Sequence, residues 1–149
     1  MNKRFTLLIV VCLFLSSLLL ASCNGSNSTV PTITLDSEKC TYSGPKTVPA
    51  DLTIDWVIND DTVHAYAYVI VTLVEGKTRE DLERWLSINS SEPDWVNIIS
   101  RELETAGNTT HTKVHNMKAN AAYKGEPIYI VCFIGDKQFL AAGPLKVKK

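Results

Sequence analysis

Cys132 sits in the most strand-like run of the last third of the chain, Pro127-Ile-Tyr-Ile-Val-Cys-Phe-Ile-Gly-Asp-Lys-Gln-Phe139. A cysteine there supports one of two chemistries. As a thiolate it can ligate copper and carry electrons. As half of a disulfide it is a staple with no sulfur left for a metal. Cysteine arithmetic bears on the choice: Cys12 and Cys23 belong to an N-terminal apolar segment, which leaves Cys40 and Cys132 as a pair. In an oxidising compartment an even pair reads as one disulfide. The bond would close a loop of about 90 residues, which contributes roughly 4–5 kcal/mol in the chain-entropy account.

Other constellations are weaker. Asp60, Asp61 and Glu75 offer carboxylates, but adjacent acids in a turn are ordinarily solvated, and no Asp-x-Asp-x-Asp-Gly series is present to hold calcium. His64 with Ser87 or Asp55 makes a triad only on paper. The chain has no Gly-x-Ser-x-Gly, no phosphate-cradling glycine loop and no His-Glu-x-x-His, so nothing argues for an enzyme. Without the first 22 residues, thirteen basic and sixteen acidic side chains remain, a net of −3. Such a surface lacks the footprint of a nucleic-acid binder. The basic tail Lys146, Lys148, Lys149 reads as a solvated strand end.

The N-terminus sets the compartment. Lys3 and Arg4 precede an apolar run from Phe5 to Leu20, followed by Ala21-Ser22-Cys23. A positive region, an apolar core and small residues describe an export signal over residues 1–22. Leu20-Ala21-Ser22-Cys23 also resembles the bacterial lipobox. That resemblance implies cleavage before Cys23, lipidation of its sulfur, and a membrane-anchored protein facing the extracytoplasmic side. The competing reading, an uncleaved apolar anchor, gives the same topology. Residues 23–31 then form the lipidated end and a polar tether, and residues 32–149 the folded domain.

The elements that must position the cysteines are mostly strands. Thr32–Leu35 alternates, and Gly44-Pro45 punctuates a turn. Leu52, Ile54, Trp56 and Ile58 share one strand face, Asn59-Asp60-Asp61 turns, and Val63–Val74 is rich in residues that suit a pleated surface. Thr78-Arg-Glu-Asp81 starts a helix carrying Leu82, Trp85 and Leu86. Ser91-Glu-Pro93 predicts a second helix, with Trp95, Ile98, Ile99 and Leu103 on one face and Gly107 closing it. The tryptophans of this pair read as packing residues. Strands return at Thr109–His115, Ile128–Ile134 and Phe139–Val147. About seven strands with a two-helix insertion predict a mainly β protein, a β-sandwich.

Cys40-Thr-Tyr-Ser-Gly-Pro45, an acidic turn before His64, the helical pair and Tyr129-Ile-Val-Cys-Phe133 together resemble exported bacterial cupredoxin-like proteins over roughly Lys39 to Val147. The resemblance implies a Greek-key β-sandwich with His64 and Cys132 at one end. Blue-copper sites need two imidazoles, a thiolate and a weak axial ligand. Where the family places its second histidine and methionine, this chain has Gln138 and Pro144, so the resemblance implies a degraded copper site. A copper-binding alternative keeps His64 and Cys132 and recruits His111 or His115, four apart and on one strand face. The preferred expectation is a lipid-anchored module without catalysis or cofactor, which meets a protein or small-molecule partner and no nucleic acid. The alternative is a copper-binding electron-transfer protein.

Overall fold

The computed structural model describes residues 30–62, 65–88, 91–121 and 123–149. The expected export signal over residues 1–22, the lipidation candidate Cys23 and the ligand candidate His64 lie outside these residues. The chain runs β1 (Thr32–Asp36), β2 (Lys39–Ser43), β3 (Thr47–Val48), β4 (Asp51–Ile58), β5 (Tyr66–Leu73), α1 (Arg79–Ile88), β6 (Val96–Glu104), β7 (Thr109–Asn116), β8 (Ile128–Ile134) and β9 (Lys137–Val147). Two sheets result, with strand orders β2-β1-β4-β7 and β3-β9-β8-β5-β6. The β1–β4 and β3–β9 pairs are parallel and the others antiparallel.

Period-two patterning sets which faces meet. Leu52, Ile54, Trp56 and Ile58 of β4 turn inward, against Ile33 and Leu35 of β1 and against Tyr66, Tyr68 and Ile70 of β5. Their outward neighbours Thr53, Asp55 and Val57 stay half-exposed. The central strand β8 is covered on both sides. Ile128, Ile130, Cys132 and Ile134 enter the inter-sheet core, while Tyr129 and Val131 join a second core under α1. Leu82, Trp85 and Leu86 of α1 close that second core over Val69, Val71 and Leu73. The helix starts as its sequence predicts: Thr78 Oγ1 accepts from the Asp81 amide at 3.3 Å, and Asp81 Oδ2 accepts from the Thr78 amide at 3.0 Å.

The expected second helix is a strand. Residues 96–104 form β6 on the edge of the five-stranded sheet, so α1 is the only helix among the described residues. The misleading spacing comes from a bulge. Ile98 opposes Val71 and Ser100 opposes Ile70, which leaves Ile99 as an extra residue. Val96 and Ile98 therefore pack under α1, while Ile99 enters the inter-sheet core. A face switch within a strand imitates an apolar helical stripe, and the fourth member of that stripe, Leu103, is exposed. Backbone pairing along the edge of β5 outweighs the weak helical preference of Val96-Asn-Ile-Ile.

Two glycines hold close approaches. A side chain at Gly107 would overlap the carbonyl oxygens of Asp60 and Thr62, so the β6–β7 connection seats directly on the β4–β5 loop. Gly135, at φ 59, opens the two-residue turn between β8 and β9, where the first central position of a II′ turn requires positive φ.

Candidate functional site

Cys40 lies beside Leu35 at the start of β2, and Cys132 lies opposite Tyr68 in the middle of the other sheet. Their side chains meet across the sandwich in a disulfide of S–S 2.05 Å and Cα–Cα 6.2 Å. Cys132 is fully buried. The bond ties the edge strand of one sheet to the centre of the other. In this state Cys132 offers no thiolate, which a blue-copper site needs.

His111 and His115 face the same way from β7, as their spacing predicts, but His115 is buried rather than exposed, His111 is half-buried, and they serve different neighbours. Four strand residues separate them by roughly 13 Å, too far for one ion to take both rings directly. His111 Nε2 lies 3.1 Å from Glu104 Oε2 without hydrogen-bond geometry, and its ring lies 5.8 Å from that of Trp56. His115 is held at both nitrogens, with Nε2 at 2.7 Å from the Tyr68 hydroxyl and Nδ1 at 2.9 Å from Ser100 Oγ. No group of three His, Cys, Asp or Glu side chains converges to hold a metal among the described residues. The described members of the copper set, Cys132, His111 and His115, therefore do not fit a blue-copper centre. Gln138 opposes Phe133 in the β8–β9 hairpin, and Pro144 follows a cis peptide bond within β9.

Ser100–His115 is one rung of a longer arrangement. Glu102 meets Lys113 at 3.1 Å and Glu104 meets His111, so alternate inward residues of β6 and β7 pair in antiparallel order. Each strand ends its own sheet. Side chains close this flank of the sandwich where backbone hydrogen bonds do not. Burial, and secondarily the Glu102 carboxylate, pushes the Tyr68 phenol well above its usual range. Burial also lowers the His115 imidazole, against the opposing pull of Glu102 and with help from Lys113. A neutral imidazole has one donor and one acceptor nitrogen, so Tyr68 and Ser100 satisfy both. Glu104 is held below the usual carboxylate range chiefly by the amides of Thr105 and Ala106.

The remaining polar candidates do not assemble into a reaction centre. Asp60 is buried and not solvated: its Oδ1 accepts from the Thr62 amide at 2.9 Å and from the Thr62 hydroxyl at 2.7 Å, a local turn. Asp55 accepts from Thr112 at 2.8 Å on the outer face of the four-stranded sheet, whereas Ser87 lies on α1. A shallow cleft of ≈ 310 Å³ between α1 and β9 is lined by Cys40, Glu83, Ser87 and Gln138. A second of ≈ 440 Å³ includes Tyr42, Lys46, Arg79 and Pro144. Within it Arg79 is committed to Glu83 at 2.7 Å and to the Gly143 carbonyl at 3.0 Å.

Tyr68, Ser100, Glu102, Glu104 and Lys113 escape a reading by motif. Their signal is the matched alternation of Ser100, Glu102 and Glu104 with His111, Lys113 and His115 about Gly107. It becomes visible only when residues 96–104 are taken as a strand.

No protein-family model and no curated protein matches the chain. Among solved structures it is similar to an azurin (Az-iso2) from the obligate methylotroph Methylomonas sp. strain J, at 11% identity and TM-score 0.41, covering 79% of this chain and 96% of that one. It is also similar to dithionite-reduced auracyanin from the photosynthetic bacterium Roseiflexus castenholzii, at 17% identity and TM-score 0.40, covering 84% and 100%. At such scores the strand order and register above carry the description of the fold.

Proposed function

We propose that this chain is an exported, lipid-anchored β-sandwich of Greek-key, cupredoxin-like type that works as a binding or structural module on the extracytoplasmic side of a membrane. It carries no blue-copper centre and catalyses no reaction. The observation that supports this reading is the disulfide between Cys40 and Cys132, which takes up the sulfur a copper site would use. His111 and His115 are engaged with Glu104, Tyr68 and Ser100. The chain passes between the sheets at β2–β3, β3–β4, β4–β5, β6–β7 and β7–β8, as Greek-key sandwiches do. Anchoring rests on Leu20-Ala21-Ser22-Cys23.

Two measurements test the two halves of this reading. Cupric titration of the non-reduced protein yields no intense thiolate-to-copper band in the visible spectrum; such a band at one copper per chain restores the electron-transfer reading. Mass spectrometry of the mature N-terminus finds lipidated Cys23, and an intact Met1 in the membrane fraction ends the anchor.

A further inference from the structure

Apart from Lys77, which lies over the Trp95 ring, the cations of this domain fall into two groups. Lys39, Lys113, Lys137, Arg79, Arg84 and Arg101 each meet a carboxylate within the fold, at 2.7–3.7 Å. Lys46, Lys118, Lys124, Lys146, Lys148 and Lys149 are exposed and have no ion pair among the described residues.

Topology puts all six at one end of the sandwich. Lys146 donates its amide to the Lys46 carbonyl, and Lys148 donates to Val48 where β3 and β9 leave the sheet together. Lys118 follows the end of β7, where Met117 donates to Ala50 just before β4 begins. Lys124 precedes β8, whose first residue Ile128 opposes Leu145 near the end of β9. Lys77, 5.2 Å over the Trp95 ring, lies at this end after β5. Asp51, Glu75, Glu80, Asp94 and Glu126 share the end, and with Arg79–Glu83 and Arg84–Asp81 paired off, its seven lysines leave it net positive. The opposite end, with Asp36, Glu38, Asp60, Asp61, Glu104 and Asp136 around Lys39 and Lys137, is net negative.

The tether joins the basic end. β1 runs from Thr32 toward the Asp36–Lys39 turn, so Val30 and Pro31 leave the fold toward the six lysines. Residues 23–29 reach at most about 25 Å even fully extended. We infer that the basic end of the sandwich docks on an anionic phospholipid surface, with Cys23 as the covalent anchor and the lysines as the electrostatic contact. This rests on the proposed anchoring. Docking holds the domain upright, with the acidic end and the Cys40–Cys132 region facing away from the membrane. A lysine close to an anionic surface contributes about fivefold in partitioning, and one lipid chain alone holds a protein weakly, so the two signals complement each other.

The test uses the mature, purified protein added to vesicles of phosphatidylcholine alone or with phosphatidylglycerol, followed by flotation and lysine acetylation read by peptide mass spectrometry. Flotation with neutral vesicles reports the anchor. Docking is reported by slower acetylation, about fivefold or more, at Lys46, Lys118 and Lys146 with phosphatidylglycerol, reversed by high salt, while Lys39 and Lys137 are unchanged. The charge-reversal variant K46E/K146E/K148E, altered only at exposed side chains without ion pairs, loses this protection at Lys118. Flotation with both vesicle types but equal acetylation overturns docking and leaves the anchor. Flotation only with phosphatidylglycerol supports docking and removes the anchor; flotation with neither overturns both. Protection already complete on neutral vesicles marks a protein contact at this end and overturns the proposal.

Discussion

Replacing Tyr68 by phenylalanine isolates the hydroxyl that caps His115. The ring stays packed edge-on against Trp56, with centroids 5.1 Å apart, so little packing is lost. What disappears is the 2.7 Å contact to His115 Nε2, in a place where Tyr68 is fully buried and His115 is 5% exposed. A buried nitrogen left without a partner costs about 1–3 kcal/mol, and the prediction is a loss of about 2 kcal/mol at neutral pH. The assay is urea unfolding of the disulfide-intact protein. Combining Y68F with H115L gives a smaller loss than the two singles summed, by about 1–2 kcal/mol, because the orphaned group is then gone. The same network sets a pH dependence. His115 is lowered from its usual 6.5, chiefly by burial, so below that value the unfolded chain binds more protons than the folded one. Its contribution is complete above pH 6.5 and is lost as pH falls toward the folded value, by at most about 1.4 kcal/mol per pH unit. Wild type therefore loses stability relative to H115L on acidification from neutral pH. A Y68F cost below about 0.5 kcal/mol, or parallel pH profiles for wild type and H115L, refutes the satisfied-imidazole account.

The disulfide joins residues 92 apart in sequence, so the C40A/C132A variant loses roughly 4–5 kcal/mol of urea stability against the oxidised protein. Gly107→Ala forces a methyl group onto the carbonyls of Asp60 and Thr62 and costs about 1–3 kcal/mol, seen as a lowered unfolding midpoint. Lys137→Ala, which removes only an exposed pair with Glu38 at 3.0 Å, changes stability by less than about 1 kcal/mol in the same assay.

Local pattern made most of the sandwich legible. Leu52, Ile54, Trp56 and Ile58 alternate because one side of β4 faces the core, and Thr78 with Asp81 marks the start of α1 without reference to the rest of the fold. Cysteine counting found the Cys40–Cys132 bond because the pairing had no competitor once Cys12 and Cys23 were set aside. Residues 96–104 misled because a bulge is a property of strand pairing: Ile99 changes side only because β5 supplies the neighbours that fix its register. The polar flank was hidden for the same reason. Glu102, Glu104 and Lys113 look like solvated charges until β6 and β7 lie side by side, and Asp60 looks exposed until its turn with Thr62 closes beneath Gly107. The lysine end is likewise a fact of topology, since Lys46, Lys118 and Lys146 are far apart in sequence.

Proteolysis of the purified protein without reductant, with free thiols alkylated beforehand, decides whether Cys132 is bonded or free. One cross-linked pair of peptides containing Cys40 and Cys132 is expected, separating on reduction, with neither residue alkylated. Alkylated Cys132 in the folded protein, with Cys40 equally free, contradicts it and returns the thiolate to a metal.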